Sequence, residues 1–397
     1  MKNKNKHKFY KNYQFYILAF YSLLIIFVLG FRLTTLMPGI SHLELINLNQ
    51  KLTLNYIIHN PLNLIYNSLQ LIVNHIFKTQ SILLLRLVSV ILGFFTMIFF
   101  SLALKFWYGN KTALLGMGLF ITSPWVISVS RIATIDVQFL FGISLLLLLS
   151  SLLKKRIESP SIYIIINFVL TLLIFIPGLI WFVIALIAIQ RGDIYYGIKL
   201  QNKISLPLYL IFSIICLPLL VINLIKSTTA LSVFLGLNFN HFNIISKLKD
   251  FGEGIIHSFL LGPNNPSIWL GRYPMFNIFG LVCVVLGIYF YVIHFNNNQS
   301  KILFSFLLIG LILLGLNKSN SLSLVIPVLY LFLATGISYL LQIWLKLFPI
   351  NPIARSLGIV LLIILISLSI LFNTRQYFVA FANNPTSRSS FEIKLKD

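Results

Sequence analysis

"TSPWVISVSRIATID", residues 122–136, interrupts a chain that is otherwise almost unbroken hydrocarbon, and the apolar run resumes at once as "VQFLFGISLLLLLSSLL". In lipid, a proline, serines, an arginine and an aspartate are tolerated only where protein covers the backbone or water reaches it. The stretch therefore reads either as an ordinary loop or as the lip of a working cavity.

The surrounding composition sets the solvent. Of 397 residues, 58% are hydrophobic and only 10% are charged, well below a soluble domain's share. Apolar runs of roughly 17 residues or more recur along the chain, which marks an all-α polytopic membrane protein. Spans are predicted near 14–36, 82–106, 112–128, 136–153, 161–176, 178–190, 204–225, 274–294, 302–317, 321–343 and 356–373, about eleven in one unit, 1–397. Within 161–190, "IPGLIW" is either a tight outer turn or a kink inside one span. The first span is too long for a signal-peptide core and lacks a small-residue cleavage site, so it reads as an uncleaved anchor.

The net charge of +22 does not indicate nucleic acid. Lysines crowd the N-terminus, "MKNKNKHKFYK", and the short loops "KFWYGNK", "KKR", "RGDIYYGIKLQNK" and "KLFPINPIAR". This is the positive-inside pattern of a plasma-membrane protein with a cytoplasmic N-terminus, aided by attraction to anionic headgroups. Segments 37–81 and 226–273 then fall outside, as does the tail 374–397. In "NPLNLIYNSLQLIVNHIF" (60–77), Asn63, Asn67, Gln70 and Asn74 recur at spacings of four, three and four. An amphipathic helix in the outer interface is expected, with Asn60 as its cap and Pro61 in its first turn.

Carboxylates are scarce: Glu44, Asp136, Glu158, Asp193, Asp250, Glu253, Glu392 and Asp397. Glu44, in "PGISHLELINLNQ", and Asp136 are both predicted at the outer surface. An acid near hydrocarbon asks for a partner: Arg131, or a divalent cation (Mg, Mn or Zn) shared by Asp136 with Glu44 or His42. Asp136 also suits the N-terminus of the following helix as a cap. Arg86 and Arg272 can fork onto a phosphate or snorkel to headgroups. His42, His59 and His75 show no HExxH spacing, and Cys216 and Cys283 fall in spans, so no dedicated zinc motif or disulfide framework is implied. GxxxxGK[ST] and GxSxG are absent as well.

Taken in order, an anchor, an outer loop with an acid ("PGISHLELINLN"), an interfacial helix, an arginine-opened span ("LRLVSVILG") and "LFITSPWVISVSRIATIDVQFLF" resemble the type-C membrane glycosyltransferases. The likeness is to the protein O-mannosyltransferase-like and aminoarabinose-transferase-like branch and covers roughly 15–155. It implies a polyprenyl-phosphate sugar donor in the bilayer, transfer on the extracytoplasmic face with inversion, and an unknown lipid, glycan or protein acceptor. Glu44 would be the base, with His42 as an alternative, Asp136 the supporting acid or metal ligand, and Arg131, Arg86 and Arg272 the substrate-binding cations. Where the family carries an adjacent Asp-Glu pair, this chain has His42, Leu43 and Glu44. A non-catalytic glycolipid-binding relative therefore stays open, as does a transporter or flippase, although no internal repeat is visible.

Overall fold

The computed structural model describes residues 19–49, 52–77, 81–156, 158–200, 228–237, 265–271, 273–316 and 322–393, with only scattered positions elsewhere between 201 and 264. Most of the predicted span 204–225, Arg272 and about half of the second outer segment lie outside the described residues. Among the described residues the architecture is helical, and one isolated antiparallel bridge, Ile40 to Ile393, is its β pairing.

The chain begins with α1 (Ala19–Gly30). Three short helices follow: α2 (His42–Asn49), α3 (Leu54–His59) and α4 (Leu64–Phe77). The long α5 (Ile82–Tyr108) comes next, capped by the Ser81 hydroxyl, which accepts from the Leu84 N–H. The opening stretch is a buried half-helix followed by a turn at 132–136. Helix α6 (Asn110–Ile121) stops, the chain turns by 59°, and α7 (Pro124–Arg131) continues as a second half-helix with all eight residues buried. Pro124 begins α7, where its missing N–H leaves no bond unmade. Burial in protein lets the break exist in lipid. The Trp125 indole donates to the Ser323 hydroxyl at 3.2 Å, and the Ser128 hydroxyl donates to the Ile268 carbonyl at 2.6 Å.

Helix α8 (Val137–Lys154) resumes the run at the centre of the bundle, packed along α5. Beyond it come α9 (Pro160–Ile174), α10 (Leu179–Ile189) and α11 (Arg191–Lys199). A tight turn separates α9 from α10, where Gly178 adopts φ +77°, so "IPGLIW" is a turn and not a kink. After a short helix at Thr228–Leu235, the long helices that follow are α12 (Ile278–Ile293), α13 (Asn298–Leu316), α14 (Ile326–Leu347) and α15 (Pro352–Arg375), and a five-residue helix, Pro385–Ser389, lies near the C-terminal end. Helix α14 packs mainly against α12, while α15 lies at the periphery with a largely exposed apolar surface. That surface suits contact with lipid tails.

Five of these helices are long and apolar enough to cross a membrane, or seven if each bent pair is one span, and α1, α9 and α12 are shorter apolar helices. The expected class, a multi-pass helical membrane protein, holds; the figure of eleven is not matched by this count over the described residues.

Helix α4 departs from its expected capping. Asn60 terminates α3 instead, its N–H donating to the Tyr56 carbonyl, and Asn63 takes a positive φ of +62° where α4 begins. The middle of the polar stripe faces protein: Asn67 and Gln70 are buried with Tyr66 and Val73 and Asn63 is half-buried, whereas Asn74 is exposed together with Ile72, Ile76 and Phe77. A helix bordering lipid turns its polar groups toward partners it can bond.

One glycine sets how closely α7 approaches α5. A Cβ on Gly93 would lie 2.4 Å from the Ser130 Cβ. Gly93→Val should therefore overpack the contact at about 1–3 kcal/mol. The expected reading is a lowered thermal midpoint for the detergent-purified protein; an unchanged midpoint would argue against the close approach.

Candidate functional site

Helix α2 begins at Ser41, whose hydroxyl accepts from the Glu44 N–H at 3.3 Å while the Ser41 N–H donates to Glu44 Oε2 at 2.8 Å. This is a reciprocal capping box, legible in the sequence as "SHLE" (41–44) ahead of an apolar run. Its glutamate reaches further. Arg86, one turn into α5, forks onto it, Nε to Oε1 at 2.8 Å and Nη2 to Oε2 at 3.2 Å. The Ala133 N–H, in the turn after α7, donates to Oε1 at 3.1 Å.

A carboxylate offers about four acceptor directions, and Glu44 has all four engaged, with 0% exposure. The expectation of an accessible general base is not met by this geometry. The Arg86 side chain opposite is equally committed, donating through Nη1 to the Leu33 carbonyl at 2.7 Å and through Nη2 to the Gly39 carbonyl at 2.9 Å. Asn47, one turn beyond Glu44 on α2, donates to the Ala133 carbonyl at 2.7 Å. Both polar groups of that peptide residue are thus held by one helix.

Arg131, expected beside Asp136 or a phosphate, is drawn the other way. Its guanidinium donates to the Val28 and Phe31 carbonyls at the C-terminal end of α1, at 2.7 and 2.6 Å, satisfying acceptors that the helix leaves open. It also lies over the rings of Tyr377 and Phe378, at 5.5 and 5.2 Å. Those rings belong to a π-helical turn, Gln376–Phe381. Beyond it the chain returns to the first loop, where the Ile40 N–H donates to the Ile393 carbonyl at 2.9 Å and Phe391 sits under Arg86. The tail therefore lies at the same end of the molecule as the Glu44 loop. Arg86 and Arg131, 3% and 2% exposed, border a void of only about 10 Å³, too small for a phosphate.

Asp136 is partly exposed and occupies the N-cap position of α8 without a side-chain capping bond. Its charge reaches the same neighbourhood as Glu44. Burial pushes the Tyr66 hydroxyl above its usual range, and both carboxylates add to the shift. His42 is exposed in the first turn of α2, away from the buried face that carries Glu44.

The donor set does not suit the metal site considered from the sequence. Glu44 has no lone pair to offer beside the Arg86 cation, and among the described residues no three His, Cys, Asp or Glu side chains gather. Of the expected residues, the structure brings together Glu44, Arg86 and the turn leading to Asp136. Arg131 joins a separate clamp, and Arg272 lies outside the described residues. Asn47, Tyr66 and the aromatic tail were not foreseen and have no short-range sequence signal; the capping box that orients α2 does.

Replacing Glu44 by Gln should leave Arg86 buried beside a neutral group and destabilise the protein by about 3–5 kcal/mol. Arg86→Met should do the same, and the double variant should recover part of the loss. Thermal unfolding of all three measures the coupling; strictly additive losses would show that the pair is not coupled.

No family model and no curated protein matches the sequence. Solved structures do match in fold. The oligosaccharyltransferase of Archaeoglobus fulgidus, tethered with an acceptor peptide containing the NVT sequon, is similar with a TM-score of 0.56 at 13% identity, over 97% of this chain and 56% of that one. ArnT from Cupriavidus metallidurans, bound to undecaprenyl phosphate, is similar with a TM-score of 0.50 at 11% identity, over 96% and 77%. This chain spans little more than half the length of the oligosaccharyltransferase. The fold is that of the type-C membrane glycosyltransferases.

Proposed function

We propose that this chain is a membrane glycosyltransferase that moves a sugar from a polyprenyl-phosphate donor to a lipid, glycan or protein acceptor. The observation that supports this reading is the meeting, at Glu44, of the first loop, the arginine-opened helix and the Ser-Arg turn, in a chain with this fold. These are the segments that carry the sequence resemblance. In this reading the same end of the bundle is extracytoplasmic and the N-terminus cytoplasmic, which the lysine-rich loops support.

In this reading Glu44 is a positioning residue. Its buried anion fixes α2 and the 131–136 turn against α5, and that turn delivers Asp136 at the start of α8. Asp136 keeps partial exposure, and we assign to it the base role expected of Glu44, with exposed His42 as the neighbouring alternative. The acceptor oxygen would attack the anomeric carbon from the face opposite the phosphate. The C–O bond to the phosphate would break with inversion, the acceptor proton would pass to the carboxylate, and polyprenyl phosphate would leave. No step is routed through a metal. Arg86 and Arg131 hold the frame, and Arg272 is the candidate for the phosphate.

The closed surroundings of Glu44 and the departure from the Asp-Glu pair favour one second reading, a non-catalytic relative that binds the same lipid-linked sugars. Full-length protein in liposomes, supplied with polyprenyl-phosphate-linked hexose or pentose and assayed for released polyprenyl phosphate, separates the two. Turnover is expected, falling by about 10²–10⁴-fold in Asp136→Asn in protein that still folds and inserts. Undiminished turnover in that variant removes the base assignment, and donor binding without turnover in the unaltered protein selects the second reading.

A further inference from the structure

A well-defined void lies far from Glu44. It measures about 280 Å³ and is lined by residues including Tyr108, Tyr291, Asn297, Gln299, Ser338 and Gln342. Arg86 and Tyr108 stand near opposite ends of α5, 22 residues apart and hence about 33 Å along its axis. The cavity therefore opens at the other face of the bundle, beside the "KFWYGNK" loop.

Its chemistry is one-sided. None of the described residues lining it is charged, so nothing there would fork onto a phosphate or hold a divalent cation. Instead it presents three carboxamides, each both donor and acceptor, together with hydroxyls and the Tyr339 ring, which packs 5.5 Å from Phe290. Sugar hydroxyls also both donate and accept, and the apolar face of a pyranose ring suits an aromatic surface. The volume lies just under the usual range of about 300–1,000 Å³ for small-molecule sites, which matches one ring and not a chain.

Tyr291 is 2% exposed among the lining residues, and its hydroxyl is buried out of reach of the cavity, so the polar groups a ligand meets are the carboxamides and the Ser338 hydroxyl.

We infer that this cavity is a binding site for a single neutral sugar ring, on the membrane face opposite the Glu44 centre. This assignment does not rest on the proposed transfer reaction, because its readout is binding. Saturation-transfer NMR on the full-length protein in phosphatidylglycerol nanodiscs tests it with two probes, methyl glycosides in solution and a monoglucosyl diacylglycerol in the disc. Saturation transfer to the sugar protons is expected, abolished by Ser338→Trp, which fills the cavity. Gln342→Ala, which removes one exposed carboxamide of the lining, should weaken binding by roughly 5–10-fold without lowering the thermal midpoint. Signal from the methyl glycosides identifies a free-sugar site; signal from the glycolipid alone identifies a lipid headgroup site. No transfer to either probe, or transfer that Gln342→Ala leaves unchanged, overturns the assignment and leaves a cavity occupied by water only.

Discussion

One buried ion pair organises one end of this molecule. Glu44 and Arg86 are 42 residues apart in sequence and meet at 2.8 Å with almost no exposure. An isolated charge there would be prohibitively costly, and even a paired one is weak evidence for stability. The pair's value is geometric. Each group is bonded to backbone as well as to its partner, through Ser41 and Ala133 on the acid side and Leu33 and Gly39 on the base side. A shift in α2, α5 or the 131–136 turn would leave a buried charge unpaired, so the arrangement is specified sharply.

The same economy of polar groups governs the rest of the bundle. In a lipid surround, nothing outside the protein can bond a backbone group. Helix ends and breaks therefore occur where side chains reach them. Arg131 closes the end of α1, and the half-helix α7 is enclosed on every side. The middle of α4's polar face turns inward while Ile72 and Ile76 face out. The amphipathic pattern is the familiar one, and its orientation is inverted because the solvent is.

These constraints separate two kinds of chemistry onto two ends of one helix. Near the start of α5 the charged groups Glu44 and Arg86 are buried and fully bonded, which suits holding a framework around a partly exposed acid at Asp136. Near its end the cavity is lined by neutral carboxamides and hydroxyls, which suits recognition of a hydroxyl-rich ligand. A helix of this length keeps the two about a membrane's thickness apart, so neither environment perturbs the other.

Much of this was written in the sequence. Apolar runs and lysine-bearing loops determined a multi-pass helical protein, because hydrocarbon length and charge placement are local properties. The order of acid loop, arginine-opened helix and Ser-Arg turn determined the resemblance that the fold bears out. "SHLE" carried the capping box, since its partners lie three residues apart. Which arginine would meet which acid was not legible. Arg131 is five residues from Asp136 yet bonds α1, 100 residues away, whereas Arg86 crosses 42 residues to Glu44. Burial decides those pairings, and burial depends on how helices pack, which no single stretch encodes. Tertiary structure alone turned Glu44 from a reachable carboxylate into a saturated one, closed the C-terminal segment over both arginines, and placed the uncharged cavity at the far end of α5.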